Sequence, residues 1–160
     1  MGANLKIQFW SIGKNNDAYI KAGVEEFTKR ISKYYKVEWT IITLPKNTSK
    51  LNLAELKKKE GEKILGLLKK EDYLVALDQK GNQLSSEGVA DLIKSRANES
   101  VKSLIFIIGG SYGLDKEVLE RANFKWSFSH LTFPHQLVRL LLTEQIYRAC
   151  TIIKNEKYHH

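Results

Sequence analysis

Residues 108–115 read I-G-G-S-Y-G-L-D, three glycines between an apolar run and an acidic residue suited to open a helix. A strand feeding a glycine turn and then a helix is a common way to hold a nucleotide. The spacing here, Gly109, Gly110 and Gly113, is G-G-x-x-G, neither the dinucleotide fingerprint G-x-G-x-x-G nor the phosphate loop that ends in Lys-Ser/Thr. Asp115 stands at the mouth of the following helix, where a phosphate would need open N–H groups and positive potential, and its carboxylate repels a pyrophosphate. Glycines there still let backbone approach a ligand closely. A cationic ligand without phosphate, such as the sulfonium of S-adenosylmethionine, suits the turn better than a dinucleotide. The same spacing also serves a plain strand-to-helix turn.

The elements that must position this turn alternate between strand and helix. Residues 5–13 and 37–44 read as strands, the second ended by Pro45. Residues 17–35 and 53–70 read as helices, with Asp17 and Asn52 as N-caps. Residues 73–78 (YLVALD) and 103–109 (SLIFIIG) are continuous apolar strands without polar alternation, the pattern of parallel strands covered on both faces. Residues 79–83 (QKGNQ) read as a turn, 86–97 as a helix capped by Ser85 or Ser86, 125–129 as a last strand, and about 136–153 as a long final helix. The expected fold class is α/β: one domain over residues 1–160, a parallel-rich sheet flanked by helices, with ligands beyond the carboxyl ends of the strands.

Composition narrows the chemistry. The chain has 160 residues, enough for one domain with its own core, and a formal net charge of +8 that favours a polyanionic partner such as nucleic acid. Many of its lysines lie in 55–72, which equally reads as the solvated face of a helix. Cys150 is the only cysteine, so no internal disulfide and no cysteine metal site is expected, and it reads as buried filler rather than a nucleophile. No apolar run approaches membrane-spanning length and no signal peptide is evident, so the expectation is an unexported, cytoplasmic protein without a membrane partner or metal.

Three further segments, S-F-S-H-L-T-F-P-H (127–135), L-T-E-Q-I-Y-R-A (142–149) and a terminal Y-H-H, follow the glycine turn in order. Together with upstream stretches 12–35, 57–65 and 76–90, they resemble the RlmH (YbeA) group of SPOUT methyltransferases over essentially the whole chain. That resemblance implies methylation of N3 of a pseudouridine in large-subunit (23S) ribosomal RNA, with S-adenosylmethionine as methyl donor, by a homodimer acting on the ribosome. It also implies a C-terminal trefoil knot, which no pattern argument gives. The cofactor contacts it implies are Leu77, Gly109, Phe128, Ser129, His130, Leu131, Thr132 and Phe133.

A sulfonium methyl needs no nucleophile or metal from the protein, only alignment and a way for the imide to lose its proton. Arg139, near the start of the final helix, is the first choice for holding RNA phosphate or the developing base anion. Tyr158 and His159, in the tail that resembles the family's terminus, complete the catalytic set, and His135 is a further proton-acceptor candidate. The tail departs from the family's pattern: Lys157 stands where Pro is usual and His160 where a basic residue is usual. The final helix carries Leu137, Val138, Leu140, Leu141, Leu142, Ile146, Ala149, Ile152 and Ile153, more than one apolar stripe, and this favours self-association with a shared active site. A different class remains open, a non-catalytic ribosome-binding or assembly protein with the same fold.

Overall fold

Five parallel strands lie side by side in the order β2-β1-β4-β3-β5. They are β1 (Lys6–Ile12), β2 (Lys36–Ile42), β3 (Tyr73–Gln83), β4 (Ser103–Ile108) and β5 (Phe124–Ser127). Each is followed by one helix: α1 (Ala18–Ile31), α2 (Leu53–Leu67), α3 (Ser86–Asn98), α4 (Lys116–Arg121) and α5 (His135–Ile153). The computed structural model describes residues 4–44 and 50–159. Pro45 and His160, on which two sequence expectations rest, lie outside the described residues.

Side-chain alternation along the strands sorts the helices. Ile7, Phe9, Val75, Leu104, Phe106 and Trp126 point to one face, where they meet Ile31 of α1, Val89 and Ile93 of α3, and Leu142, Ile146 and Ala149 of α5. Trp10, Ile12, Leu74, Ala76, Ile105 and Ile107 point to the other, against Ile64 of α2 and Val118 of α4. The strands that read as apolar throughout, β4 and the first half of β3, are therefore the ones covered on both sides. In β4, residues 104–108 are all buried.

Local sequence sets most helix ends. The Asn52 side chain accepts from the Glu55 N–H at 2.9 Å and Ser85 from the Gly88 N–H at 3.0 Å, both capping bonds. Asp17 occupies the N-cap position of α1 but makes no side-chain capping bond. Its backbone N–H donates instead to Gln136 Oε1 at 2.8 Å, tying the start of α1 to the start of α5. α1 stops at Ile31, short of the expected Tyr35, and α2 stops at Leu67, short of the expected Lys70.

The segment 79–83 is not a turn. β3 continues through it to Gln83, and its pairing with β5 shifts register between Leu77 and Asn82. Gly81 makes this possible: a Cβ there would lie 2.7 Å from the carbonyl carbon and oxygen of Lys125, so only glycine lets the two strands run this close. β5 is correspondingly shorter than expected, and Phe128 and Ser129 open the loop that leads to α5.

Candidate functional site

A cleft of about 430 Å³ opens at the carboxyl end of β4, β3 and β5. Three pieces of chain build it. One is the glycine turn after β4. The second is the stretch Leu77–Lys80 of β3. The third is the loop after β5, with Val138 and His135 of α5 closing the side. Neighbouring strands in the order β4-β3-β5 bring these pieces together although they are spread over sixty residues of chain.

The glycine turn is tightly determined. The Gly113 N–H donates to the Gly110 carbonyl at 3.1 Å, and the two residues form an antiparallel bridge. Gly113 has φ +83°, a left-handed conformation that suits glycine. A Cβ on Gly109 would stand 2.8 Å from the Gly113 carbonyl carbon, and that neighbour is backbone. Asp115 then caps α4, its carboxylate accepting from the Glu117 N–H at 3.2 Å. The position where a phosphate would bind is thus filled by the protein's own anion.

The loop on the other side is held from β3. Gln79 donates through Nε2 to the Leu131 carbonyl at 3.1 Å and to Thr132 Oγ1 at 3.0 Å. Within the loop, the Leu131 N–H donates to Ser129 Oγ at 3.0 Å and Ser127 Oγ to the Ser129 carbonyl at 3.2 Å. The buried Trp126 forms the floor, with Phe128 edge-on to it at 4.7 Å between ring centroids.

Of the residues assigned by resemblance to the cofactor, Leu77, Gly109, Phe128, Ser129, Leu131, Thr132 and Phe133 line this cleft, whereas His130 does not. Gln79, which sequence reasoning passed over, is the side chain that ties two walls together. Nothing in its local pattern marks it, because both its acceptors lie more than fifty residues away.

Arg139 is fully buried at 0 % exposure, and its guanidinium faces β1 and the loop after it. Nε donates to Ser11 Oγ at 2.7 Å, and Nη1 to the Lys14 carbonyl at 2.8 Å and to Asn16 Oδ1 at 2.7 Å. Nη2 donates to the Ile12 carbonyl at 3.4 Å. Burial pulls its pKa below the usual guanidinium range, but the group stays charged at neutral pH. In this arrangement the group pins the 11–16 segment behind the cleft rather than facing a solvent-borne phosphate. His135 lies between Arg139 and the cleft. Its pKa is lowered first by burial and then by the Arg139 charge, so the imidazole is neutral at pH 7.

Tyr158 and His159 stand apart from the cleft, folded back on α5 and α3. The Tyr158 hydroxyl donates to Glu144 Oε2 at 2.7 Å, and its ring meets Tyr147 edge-on at 4.7 Å. His159 places Nδ1 3.1 Å from Arg148 Nη1 and Nε2 2.9 Å from Glu87 Oε1. Arg148 and Glu144 form an i,i+4 ion pair at 2.6 Å. Burial and then the bond to Glu144 raise the Tyr158 pKa, so its phenol is a donor at neutral pH and not a base. Burial pushes the Cys150 thiol up to about 12, leaving it inert. Among the described residues no group of three His, Cys, Asp or Glu side chains is arranged to hold a metal, and no helix is long and apolar enough to cross a membrane.

This architecture has counterparts. A solved structure titled as a probable methyltransferase from Bordetella pertussis Tohama I superposes with a TM-score of 0.56 over 92 % of this chain and 95 % of its own, at 12 % identity, which speaks for the fold alone. Curated relatives are much nearer in sequence. The ribosomal RNA large subunit methyltransferase H of Cytophaga hutchinsonii is 49 % identical over 156 residues, covering 98 % of this chain and all of that protein. The protein of the same name from Clostridioides difficile is 48 % identical over 160 residues, covering 97 % and 99 %. The family model described as "Predicted SPOUT methyltransferase" matches residues 5–159, the full span of sheet, cleft and tail. The chain therefore belongs to the SPOUT methyltransferase family.

Proposed function

We propose that this protein methylates N3 of a pseudouridine in large-subunit ribosomal RNA within the assembled ribosome, as a cytoplasmic homodimer with the knotted C-terminal crossing of its family. The observation that carries the reading is the cleft itself, built from the glycine turn and the loop after β5 in a chain 49 % identical over nearly its whole length to a ribosomal RNA methyltransferase.

The cleft fits S-adenosylmethionine. Its volume falls within the range of roughly 300–1,000 Å³ usual for small-molecule sites. Leu77, Trp126, Phe128, Leu131, Phe133 and Val138 give apolar walls, and Asp78 supplies a carboxylate for a cation. Asp115 bars a phosphate from the start of α4. Leu77, Gly109 and the segment Phe128–Phe133 hold the donor, with His130 at the outer edge of that segment. When bound, the donor supplies a methyl already activated on a sulfonium, so the protein's work is orientation and proton removal. His135, neutral and lining the cleft, is able to accept the imide proton. Arg139 acts as a positioning residue that fixes residues 11–16 beside it.

Tyr158 and His159 act on the target base in the partner's cleft. The half-buried residues Leu137, Leu141, Ile152 and Ile153 of α5 supply the apolar contact for a second copy. The test is transfer of labelled methyl from S-adenosylmethionine to isolated ribosomal subunits, assembled ribosomes and naked RNA, with the product mapped by mass. The expected result is one methyl on a pseudouridine of large-subunit RNA. Failure of the pure protein to bind the donor or its demethylated product by calorimetry overturns the reading. So does donor binding without methylation of any RNA, which a non-catalytic assembly protein would show only if it had kept the donor site.

A further inference from the structure

Few large apolar side chains in the described chain are strongly exposed, and two of them, Tyr112 at 63 % and Leu131 at 68 %, stand at this one cleft. Tyr112 occupies the third position of the turn closed by the Gly113-to-Gly110 hydrogen bond, and Leu131 sits in the loop held by Gln79. The turn follows β4 and the loop follows β5. Because β3 lies between those strands, the two side chains flank the cleft from either side, with the exposed Lys80 of β3 between them. Both supports are fixed in place by hydrogen bonds, so the exposed surfaces are presented rather than loosely displayed.

We infer that Tyr112 is a stacking platform for an unpaired nucleobase of the RNA substrate, with Leu131 as the facing apolar lip and Lys80 as a contact for the adjoining phosphate. This deepens the methyltransferase reading and rests on it. An enzyme that reacts with a base needs it out of the helical stack, and a splayed base is held by aromatic and apolar faces together with backbone cations. The donor's assigned contacts are Leu77 within β3, Gly109 just past β4 and the loop 128–133, of which Leu131 keeps most of its side chain exposed. Tyr112, at the third position of the turn and largely exposed, is not among them, which leaves its ring to the incoming base. The chain's +8 charge draws the RNA in, and Lys80 adds its cation at the rim.

The test measures two quantities on wild type, Tyr112→Phe, Tyr112→Leu and Tyr112→Ala: donor affinity by calorimetry, and kcat and KM for methyl transfer to the ribosomal substrate. An exposed side chain on a turn is replaceable without loss of fold, which a thermal melt checks. Tyr112→Ala is expected to raise the substrate KM about tenfold, in keeping with the usual worth of one base–aromatic stack, with donor affinity unchanged. Tyr112→Phe, which keeps the ring, restores the KM, and Tyr112→Leu does not. A weakened donor affinity in Tyr112→Ala assigns the ring to the donor and overturns the inference. An unchanged KM, or a Phe variant as impaired as the Ala one, overturns it too. A wild-type protein that methylates no RNA overturns the functional reading and this one together, whereas an active wild type indifferent to Tyr112 removes only the stacking role.

Discussion

Replacing Arg139 by alanine separates its two possible jobs. The guanidinium serves four acceptors, two of which, Ser11 Oγ and the Ile12 carbonyl, belong to buried residues. The other two, on Lys14 and Asn16, lie where water can replace the lost donor. Leaving two sealed acceptors unpaired costs about 1–2 kcal/mol each, and truncating a fully buried side chain adds about 2 kcal/mol. Removing a cation that no carboxylate among the described residues neutralises returns about 2 kcal/mol of desolvation. The net loss is about 3 kcal/mol, which for a chain of this size lowers the melting temperature by roughly 6–12 °C. Arg139→Lys keeps the charge, but one ammonium cannot reach four spread acceptors, so an intermediate loss is expected. Urea unfolding and thermal melts measure both variants, alongside methyl transfer at a temperature where each is folded. A loss below about 0.5 kcal/mol, the level of ordinary surface changes, with transfer abolished and donor affinity intact, would refute the pinning role. It would show the guanidinium working on RNA directly.

Other perturbations test the remaining parts. Gly109→Ala drives a Cβ into the Gly113 backbone, so donor affinity by calorimetry is expected to fall at least about tenfold, the penalty of opening a closed turn worth about 1.4 kcal/mol. His135 has a folded pKa below its ordinary 6.5, so the unfolded chain takes up its proton first on acidification. The stability this contributes is complete above about pH 6.5 and is lost as pH falls through the lower folded value. Unfolding curves across that window should flatten in His135→Gln. The Cys150 thiol, pushed up to about 12 and fully buried, should resist alkylation at pH 8 and react only as the chain unfolds, which mass spectrometry follows. Mixing Gly109→Ala chains with chains truncated before Tyr158 should restore activity in the mixed dimers, each of which retains one intact pairing of cleft and tail. No recovery would show that cleft and tail must come from one subunit.

Strand and helix order was readable because each element carries its own periodicity. Residues 104–108 and 74–76 are apolar at every position for a reason that the two covered faces make plain. The glycine turn and the Asp115 cap were equally local, since a hydrogen bond between neighbours in sequence leaves its mark on neighbouring residue types. Long-range partners left no such mark. The bond from Arg139 to Ser11 spans 128 positions, so the sequence offered a cation near a helix start and nothing to tell a phosphate clamp from an internal pin. Residues 79–83 carry turn-forming types, and local chemistry points to a turn. The close approach of β5 at Gly81 overrides that preference and extends β3 instead. Tyr112 drew no notice for a related reason. An aromatic residue inside a glycine-rich stretch reads the same whether it packs inward or stands in water.

The tail presents the sharpest physical question, because its polar groups are already satisfied. Tyr158 gives its proton to Glu144, and His159 lies between Arg148 and Glu87, so neither is a frayed end. A residue so docked is held at fixed orientation by ion-paired neighbours that are themselves partly buried. Such a terminus is poorly suited to swing across its own subunit to a cleft at the start of α5, since the move would break three bonds before making any. It is well suited to serve a second subunit laid against α5, where the same fixed orientation becomes preorganisation and costs nothing at the moment of binding. In the proposed dimer the one phenolic proton stays with Glu144, so the Tyr158 oxygen is left to accept a hydrogen bond from the target base. Under the proposed function the ion pair between Glu144 and Arg148 is a positioning device that does not touch substrate. It sets where Tyr158 and His159 stand, as Arg139 sets the loop after β1 on the far side of the same helix.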